Sequence, residues 1–337
     1  MNKSLRNLAL LPVWILSIFS KSKSFGENPV VGSYILNLLG LHVFRLLLAH
    51  GISNFRFFLL SPLMPKEERK RFHEDGYIVL KDFLPEEEFA ALQHEAIQYS
   101  GQVAEKIEGD TATDWVRLSP DKCKELPACK RMLDVPGYRK RLQYCAATLR
   151  PPLYYIQAIR HNYVSGEKDP QKDVHSDTFH PTMKAWFYMV DVTPENGPFK
   201  YIKGSHKLSW SKIKWEYRKS LREARAGTDG SFRATEEDLK ELGYDQPKAV
   251  CVPRNTLVIV NTHGYHCRGQ ANGAQTRVEI WAFSRVNPFN PFLGLSVKLL
   301  EKVRHKIIDK LTDHQSKSGK LKVVTANWSS EFKQDAK

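Results

Sequence analysis

The strongest constraint on this chain is the triplet His175-Ser176-Asp177, set among strand-like segments, with two more histidines, His263 and His266, far downstream. In extended backbone, alternate side chains share a face, so His175 and Asp177 project together. One distant imidazole completes a set of two histidines and one carboxylate on a single face of Fe(II). That set leaves positions open for a cosubstrate and O2. A closed zinc site would leave fewer positions open, and an all-oxygen magnesium or calcium site would not select two imidazoles. The chain must therefore fold so that separate stretches of polypeptide meet at one point.

Spacing alone is a weak signal. His73-Glu74-Asp75 repeats it within the charged run Lys66–Asp75, which reads as a helix ending at Gly76 and not as a site. Around the second copy the context is different. Met183–Asp191 is rich in aromatic and branched residues and reads as a strand; Glu195–Pro198 is a turn signal, and Phe199–Ile202 is a short strand. Thr256–Val260 has a buried-strand pattern that carries either His263 or His266 to the core. Further strands are expected at Tyr77–Leu80, Leu153–Tyr163, Ala249–Val252 and Thr276–Phe283. Helices are expected at Glu86–Ser100, Lys122–Leu133, Gly137–Leu149 and Trp210–Arg225.

The run from Val190 to Lys207 (VDVTPENGPFKYIKGSHK) and the segment from Phe72 to Pro85 (FHEDGYIVLKDFLP) resemble the phytanoyl-CoA dioxygenase family of Fe(II)- and 2-oxoglutarate-dependent oxygenases. The resemblance extends over roughly residues 66–290. It implies a mainly β fold with flanking helices, built on a double-stranded β-helix (jelly-roll) core. It also implies Fe(II), 2-oxoglutarate and O2 as reactants, with His175, Asp177 and His266 as the iron ligands. His266 is preferred over His263 because Arg277 follows it at the family's spacing for the arginine that pairs with the far carboxylate of 2-oxoglutarate. A guanidinium gives that carboxylate two parallel hydrogen bonds, which lysine cannot match.

Trp186 matches a family position near the cosubstrate, although an ordinary core aromatic fits it equally well. Gln157 is a candidate hydrogen-bond donor to the cosubstrate. Some members carry a small hydroxyl residue two positions after the distal histidine, where this chain has Arg268. Arg268 then faces an anionic substrate, or another residue supplies the contact. His263 and His180 are candidate substrate-facing residues. Retention of Asp177 argues for hydroxylation, because related halogenases give up that carboxylate.

The first sixty-odd residues differ in composition from the rest. Leu8–Ser20 is an apolar run broken by Pro12 and flanked by Lys3, Arg6, Lys21 and Lys23, too short to span a bilayer. Val30–His50 is long enough but contains Asn37, His42 and Arg45, and an arginine in hydrocarbon costs about 2.5–3.5 kcal/mol on insertion scales. Residues 1–65 therefore read as an apolar, basic helical segment lying on a membrane surface, or as a helical lid on the domain's own core. Residues 66–290 read as the dioxygenase domain, and residues 291–337 as a basic amphipathic helix with a tail. Leu293, Val297, Leu300, Val303, Ile307 and Leu311 recur there at helical spacing among lysines.

The net charge of +14 calls for an acidic partner. No nucleic-acid-binding signature accompanies it, and the basic residues lie beside apolar stretches, which favours an anionic membrane on the cytoplasmic face. Five cysteines without metal spacing fit a reducing compartment. The expected substrate is an anionic lipid or lipid-linked molecule. A soluble acyl-CoA or other small molecule is its rival, and a non-catalytic jelly-roll binding or scaffold protein is a third reading.

Overall fold

Strand alternation gives the central sheet two chemically different faces, and this division positions everything else. The computed structural model describes residues 3–164, 166–228, 231–294, 298–319, 321–326 and 328–336. Its strands are β1 (Tyr77–Leu80), β2 (Gln102–Glu108), β3 (Thr111–Arg117), β4 (Leu153–His161), β5 (Met183–Tyr188), β6 (Phe199–Tyr201), β7 (Lys248–Ala249), β8 (Thr256–Asn261), β9 (His266–Arg268), β10 (Gln275–Ser284) and β11 (Lys322–Thr325). Eight of them form one antiparallel sheet in the order β1-β8-β5-β10-β4-β3-β2-β11, and β7-β6-β9 form a second.

The helices are α1 (Lys3–Leu16), α2 (Tyr34–Leu38), α3 (Leu41–Leu59), α4 (Lys66–Asp75), α5 (Glu86–Ile97), α6 (Lys122–Glu125), α7 (Pro127–Asp134), α8 (Pro136–Cys145), α9 (Trp210–Ala226), α10 (Glu236–Leu242) and α11 (Lys298–Lys317). Ile156, Ala158, Phe187, Ile259, Val278 and Ile280 turn to one side of the large sheet. There they form an apolar core with Phe89 and Leu92 of α5, Met132 of α7 and Leu142 of α8. The alternate residues Trp186, Tyr188, Val258 and Val260 turn to the other side and pack on Phe199 and Tyr201 of the smaller sheet and on Val250 and Val252, which follow β7. Two sheets face to face with helices outside make the jelly roll.

The single helix expected over Lys122–Leu133 is two helices, because Pro127 cannot donate within a helix interior and instead opens α7. The run Val30–His50 is likewise divided. Gly40 adopts φ 95°, a left-handed conformation that ends α2 and opens α3. No described helix is long and apolar enough to cross a membrane.

Helix α3 packs with its polar side inward. His42, Arg45, Ala49, Ser53 and Arg56 recur at helical spacing and are buried, while Phe44, Leu47, Phe55 and Phe58 are exposed. Burying a guanidinium is tolerable only when its donors are matched. Arg45 donates to the carbonyls of Ile18 (2.8 Å), Ser20 (3.0 Å) and Ser22 (2.7 Å), and lies over the ring of Phe179. Arg56 donates to the carbonyls of Asn287 (3.2 Å) and Asn290 (2.9 Å). His42 Nε2 meets Glu216 of α9 at 2.8 Å.

Helix α11 follows the same rule. Arg117 reaches His305 and Asp309 and Arg304 reaches the Pro151 carbonyl, while Val303, Ile307 and Leu311 face outward. The tail is more ordered than its composition suggests: Lys322–Thr325 is a strand paired with β2, and Trp328 is buried with its Nε1 donating to the Ala96 carbonyl.

Candidate metal centre

His175 is not in a regular strand. It forms an isolated bridge with His266, because its neighbour β9 is only three residues long. His175 N–H donates to the His266 carbonyl (2.9 Å), His266 N–H returns the bond (3.0 Å), and Asp177 N–H donates to the Thr262 carbonyl (3.0 Å). These backbone bonds bring three side chains from two distant segments together. Asp177 Oδ1 lies 3.8 Å from Nε2 of each imidazole, and the ring centroids are 4.5 Å apart.

The imidazoles are prepared as ligands. His175 Nδ1–H donates to the Asp173 carbonyl (2.7 Å) and His266 Nδ1–H to the Gly264 carbonyl (2.8 Å), which leaves both Nε2 lone pairs free. Burial is the main cause that keeps both rings neutral, and it pushes His266 down to about 3. Burial works against the Asp177 carboxylate, but the Lys184 ammonium beside it outweighs burial and holds the carboxyl well below its usual range. His266 Nε2 is buried with no hydrogen-bond partner. Metal–ligand bonds of about 2 Å suit an ion set among atoms this far apart, so the three groups fit a divalent first-row cation. Among the described residues this is the one such cluster.

A cavity opens on this cluster, lined by His175, His266, Gln157, Trp186, Arg268 and Arg277 among others. Arg277 is buried in β10. Its Nε pairs with Glu279 (2.8 Å), and its Nη1 donates to the carbonyls of Gly197 (2.6 Å) and Asn196 (3.2 Å). Gly197 needs its lack of a side chain: with φ 67°, a Cβ there would meet the His161 ring at 2.4 Å. Gln157, with its amide suitably oriented, donates to Glu279 Oε1 (2.9 Å) and accepts from Trp115 Nε1 (2.6 Å), so both ends of that amide are engaged by protein. Trp186 stacks near Phe199 at 4.8 Å.

Arg268 is tied to the buried Asp169 at 2.6 Å while it lines the same cavity. His180 and His263 do not line it. Both are fully buried, with His180 Nδ1 on the Pro181 carbonyl and His263 Nδ1 on the Thr178 carbonyl; His263 packs against His50 of α3 at 4.6 Å. Cys267 is a neutral thiol, pushed up to about 11 chiefly by burial. The alternative triplet His73-Glu74-Asp75 lies in α4, where His73 Nε2 bonds the Tyr144 hydroxyl.

Four residues at or behind the centre escaped the sequence reading. Lys184 stands 2.7 Å from Asp177 Oδ2, and its position two before Trp186 on one strand was the available signal. Glu279 is two residues from Arg277 and so shares its face. Trp115 sits on a strand that was not anticipated. Lys23 donates to the Asp177 carbonyl (2.7 Å) from a separate part of the chain, and no pattern announces it.

The family model for phytanoyl-CoA dioxygenase (PhyH) matches residues 72–256. No curated protein matches the chain significantly. Among solved structures, the chain is similar to the epimerase SnoN, crystallised with Fe3+, alpha ketoglutarate and nogalamycin RO (18% identity, 66% of this chain and 83% of that one, TM-score 0.43). It is similar also to HygX from Streptomyces hygroscopicus with nickel and 2-oxoglutarate bound (15% identity, 65% and 86%, TM-score 0.41). A third is EctD from S. alaskensis with bound Fe (16% identity, 66% and 76%, TM-score 0.39).

Proposed function

The chain belongs to the phytanoyl-CoA dioxygenase family, iron- and 2-oxoglutarate-dependent oxygenases, and on that premise we propose that it hydroxylates an anionic lipid or lipid-linked substrate at a membrane surface. The observation that carries the oxygenase reading is the meeting of His175, Asp177 and His266, with a free Nε2 on each ring and a carboxylate oxygen 3.8 Å from both. These three residues would hold the iron. Iron and 2-oxoglutarate, when bound, supply the oxidising chemistry: O2 is consumed, the cosubstrate leaves as succinate and CO2, and one oxygen atom enters the substrate. The chain's own work is orientation and shelter. Arg277, braced by Glu279 and the Gly197 carbonyl, offers its guanidinium to the far carboxylate of the cosubstrate. Trp186 and Phe199 form an apolar wall that excludes water.

The membrane reading is supported by the N-terminal layer, residues 1–65. Leu39 (79%), Phe58 (74%), Leu16 (72%) and Ile35 (68%) of this layer are among the most exposed large apolar side chains, together with Phe292 and Trp210 outside it. A helix that buries Arg45 and Arg56 while Phe44, Phe55 and Phe58 face outward suits an apolar exterior. Anionic lipid is favoured by the flanks. Helix α9 contacts α2 through Tyr217 and Arg225, and it carries exposed Lys214, beside the exposed Trp210, and exposed Arg222 and Arg225. Residues 66–290 are the catalytic unit on this reading, and α11 and β11 pack on its edge.

Two experiments test it. Succinate release and iron retention should both fall in Asp177→Ala; wild-type levels of both would end the assignment. Vesicles of phosphatidylglycerol and phosphatidylcholine should float the wild-type chain but not one carrying Leu39→Glu, Leu47→Glu and Phe58→Glu. Equal flotation removes the membrane reading, and a wild-type dimer dispersed by those substitutions would assign the layer to a second copy instead.

A further inference from the structure

Resting on the cosubstrate role given to Arg277 above, we propose that Trp115 and Gln157 are positioning residues for cosubstrate binding. They act through Glu279, and together the three decide which nitrogen of the Arg277 guanidinium stays free for the far carboxylate of 2-oxoglutarate.

Three neighbouring strands assemble this relay. Cross-strand pairing sets Glu279 of β10 opposite Gln157 of β4, and Gln157 opposite Trp115 of β3. The three side chains therefore form a row on the face that carries Arg277. Trp115 Nε1–H donates to the Gln157 amide oxygen (2.6 Å), and the Gln157 amide nitrogen donates to Glu279 Oε1 (2.9 Å). Glu279 Oε2 accepts from Arg277 Nε (2.8 Å). The direction of the whole row follows from its first member. An indole N–H can only donate, so it holds the amide oxygen to itself and turns the amide nitrogen toward Glu279. The reverse orientation would set the amide oxygen against the carboxylate and the amide nitrogen against the indole N–H.

Glu279 is fully buried, and each of its oxygens is matched by one donor, Arg277 or Gln157. A carboxylate beside an arginine prefers to take two nitrogens of the fork in parallel, and Nε and Nη2 lie along one edge of it. Gln157 prevents that here by occupying Oε1. The guanidinium is accordingly divided: Nε goes to Glu279 and Nη1 to the Gly197 and Asn196 carbonyls, while Nη2 has no hydrogen bond among the described residues. Arg277 lines the metal cavity, so this unspent nitrogen is what it can offer an incoming carboxylate. Without the amide donor, Oε1 of a buried anion would be left unmatched, and Nη2 is the nearest replacement on the same fork. Glu279 would then compete with the cosubstrate for the nitrogen that binds it. Trp115 keeps the amide from turning over, although it does not line the cavity.

The test is calorimetric titration of the full-length, iron-loaded protein with 2-oxoglutarate under anaerobic conditions. Trp115→Phe keeps an aromatic ring and loses the N–H, so 2-oxoglutarate should bind about 5-fold more weakly. Gln157→Met should weaken it about 10-fold. The double variant should be no weaker than Gln157→Met, because Trp115 acts through the amide. Fe(II) affinity, titrated without cosubstrate, should match wild type in both single variants. In steady state, the KM of Trp115→Phe for 2-oxoglutarate should rise as its affinity falls, with succinate release at saturating cosubstrate within about 2-fold of wild type. Wild-type 2-oxoglutarate affinity in Trp115→Phe overturns the proposal. Additive losses in the double variant overturn it too, and would make Gln157 a direct ligand and Trp115 a separate support. A parallel loss of Fe(II) affinity would mean that the row supports the whole site and does not position Arg277. Should Trp115→Phe fail to fold, wild-type affinity in Gln157→Met overturns the proposal by itself. If wild type binds no 2-oxoglutarate, the oxygenase reading falls and takes the relay with it, a result distinct from all the others.

Discussion

Lys184 Nζ lies 2.7 Å from Oδ2 of Asp177, while Oδ1 of the same carboxylate lies 3.8 Å from both imidazole Nε2 atoms. The ammonium thus decides which oxygen turns toward the histidines. Groups that orient a metal ligand are worth about 10- to 100-fold in metal affinity when removed. Lys184→Met keeps the stem and loses the charge, so Fe(II) binding should weaken about 10-fold with the fold intact. Anaerobic Fe(II) titration reads this directly. Wild-type affinity in the variant would remove the orienting role.

Arg277→Lys should be far from conservative. Lysine can replace one of the contacts to Glu279 and the Gly197 carbonyl, but it cannot hold both and still offer a second nitrogen to a carboxylate. Hydrogen bonds to charged groups contribute about 1.5–3 kcal/mol, so 2-oxoglutarate affinity should fall about 10- to 100-fold. Calorimetric titration of the iron-loaded variant with 2-oxoglutarate measures it. Urea unfolding should also report a loss of about 1–3 kcal/mol, because fully buried Glu279 is left short of a partner.

The parts of the fold legible in the sequence were those whose pattern is local. Tyr77–Leu80 is a strand at the expected residues, and β8 and β10 depart from expectation by a residue or two, because buried branched runs between turn signals identify themselves. The hairpin of β2 and β3 was missed although Gly109, at φ 58°, turns it. Its strands mix charged and small residues: Glu105 and Asp114 both serve Arg160 of β4, a pairing that spacing along the chain cannot show. The helical character of residues 41–59 was readable, but the direction of the helix was not. An arginine within an apolar run reads as a cost until the carbonyls that receive it are known, and Arg45 finds them twenty-odd residues earlier. Lys23 illustrates the limit, since only the folded chain brings it to Asp177.

Acid should destabilise this protein from about pH 6.5 downward. His180 and His206 stay neutral in the fold until about pH 3 and His161 until about pH 2, with burial the largest cause in each case. An unfolded histidine takes up its proton near pH 6.5. Between those limits the unfolded chain binds more protons than the folded one, so stability falls as pH falls, by up to ~1.4 kcal/mol per pH unit for each histidine. Above pH 6.5 both states are neutral and these residues contribute nothing. Urea unfolding of the metal-free protein between pH 5 and 8 should show a plateau above 7 and a steep decline below 6.5. A flat profile would mean that the rings are not held neutral.

Arg45 should control the N-terminal layer without touching the iron ligands. Its guanidinium is the shared hydrogen-bond donor for the carbonyls of residues 18, 20 and 22, whereas the backbone bonds that assemble His175, Asp177 and His266 involve no residue of α3. Arg45→Met fills much of the same space but leaves those carbonyls short of a buried donor, at about 1 kcal/mol each. The segment from Ser17 to Asn28 should then open before the rest of the protein does. Limited proteolysis should cut there several-fold faster than in wild type, while iron affinity stays unchanged. Equal losses of iron and of the N-terminal segment would instead mean that the two regions unfold as one unit.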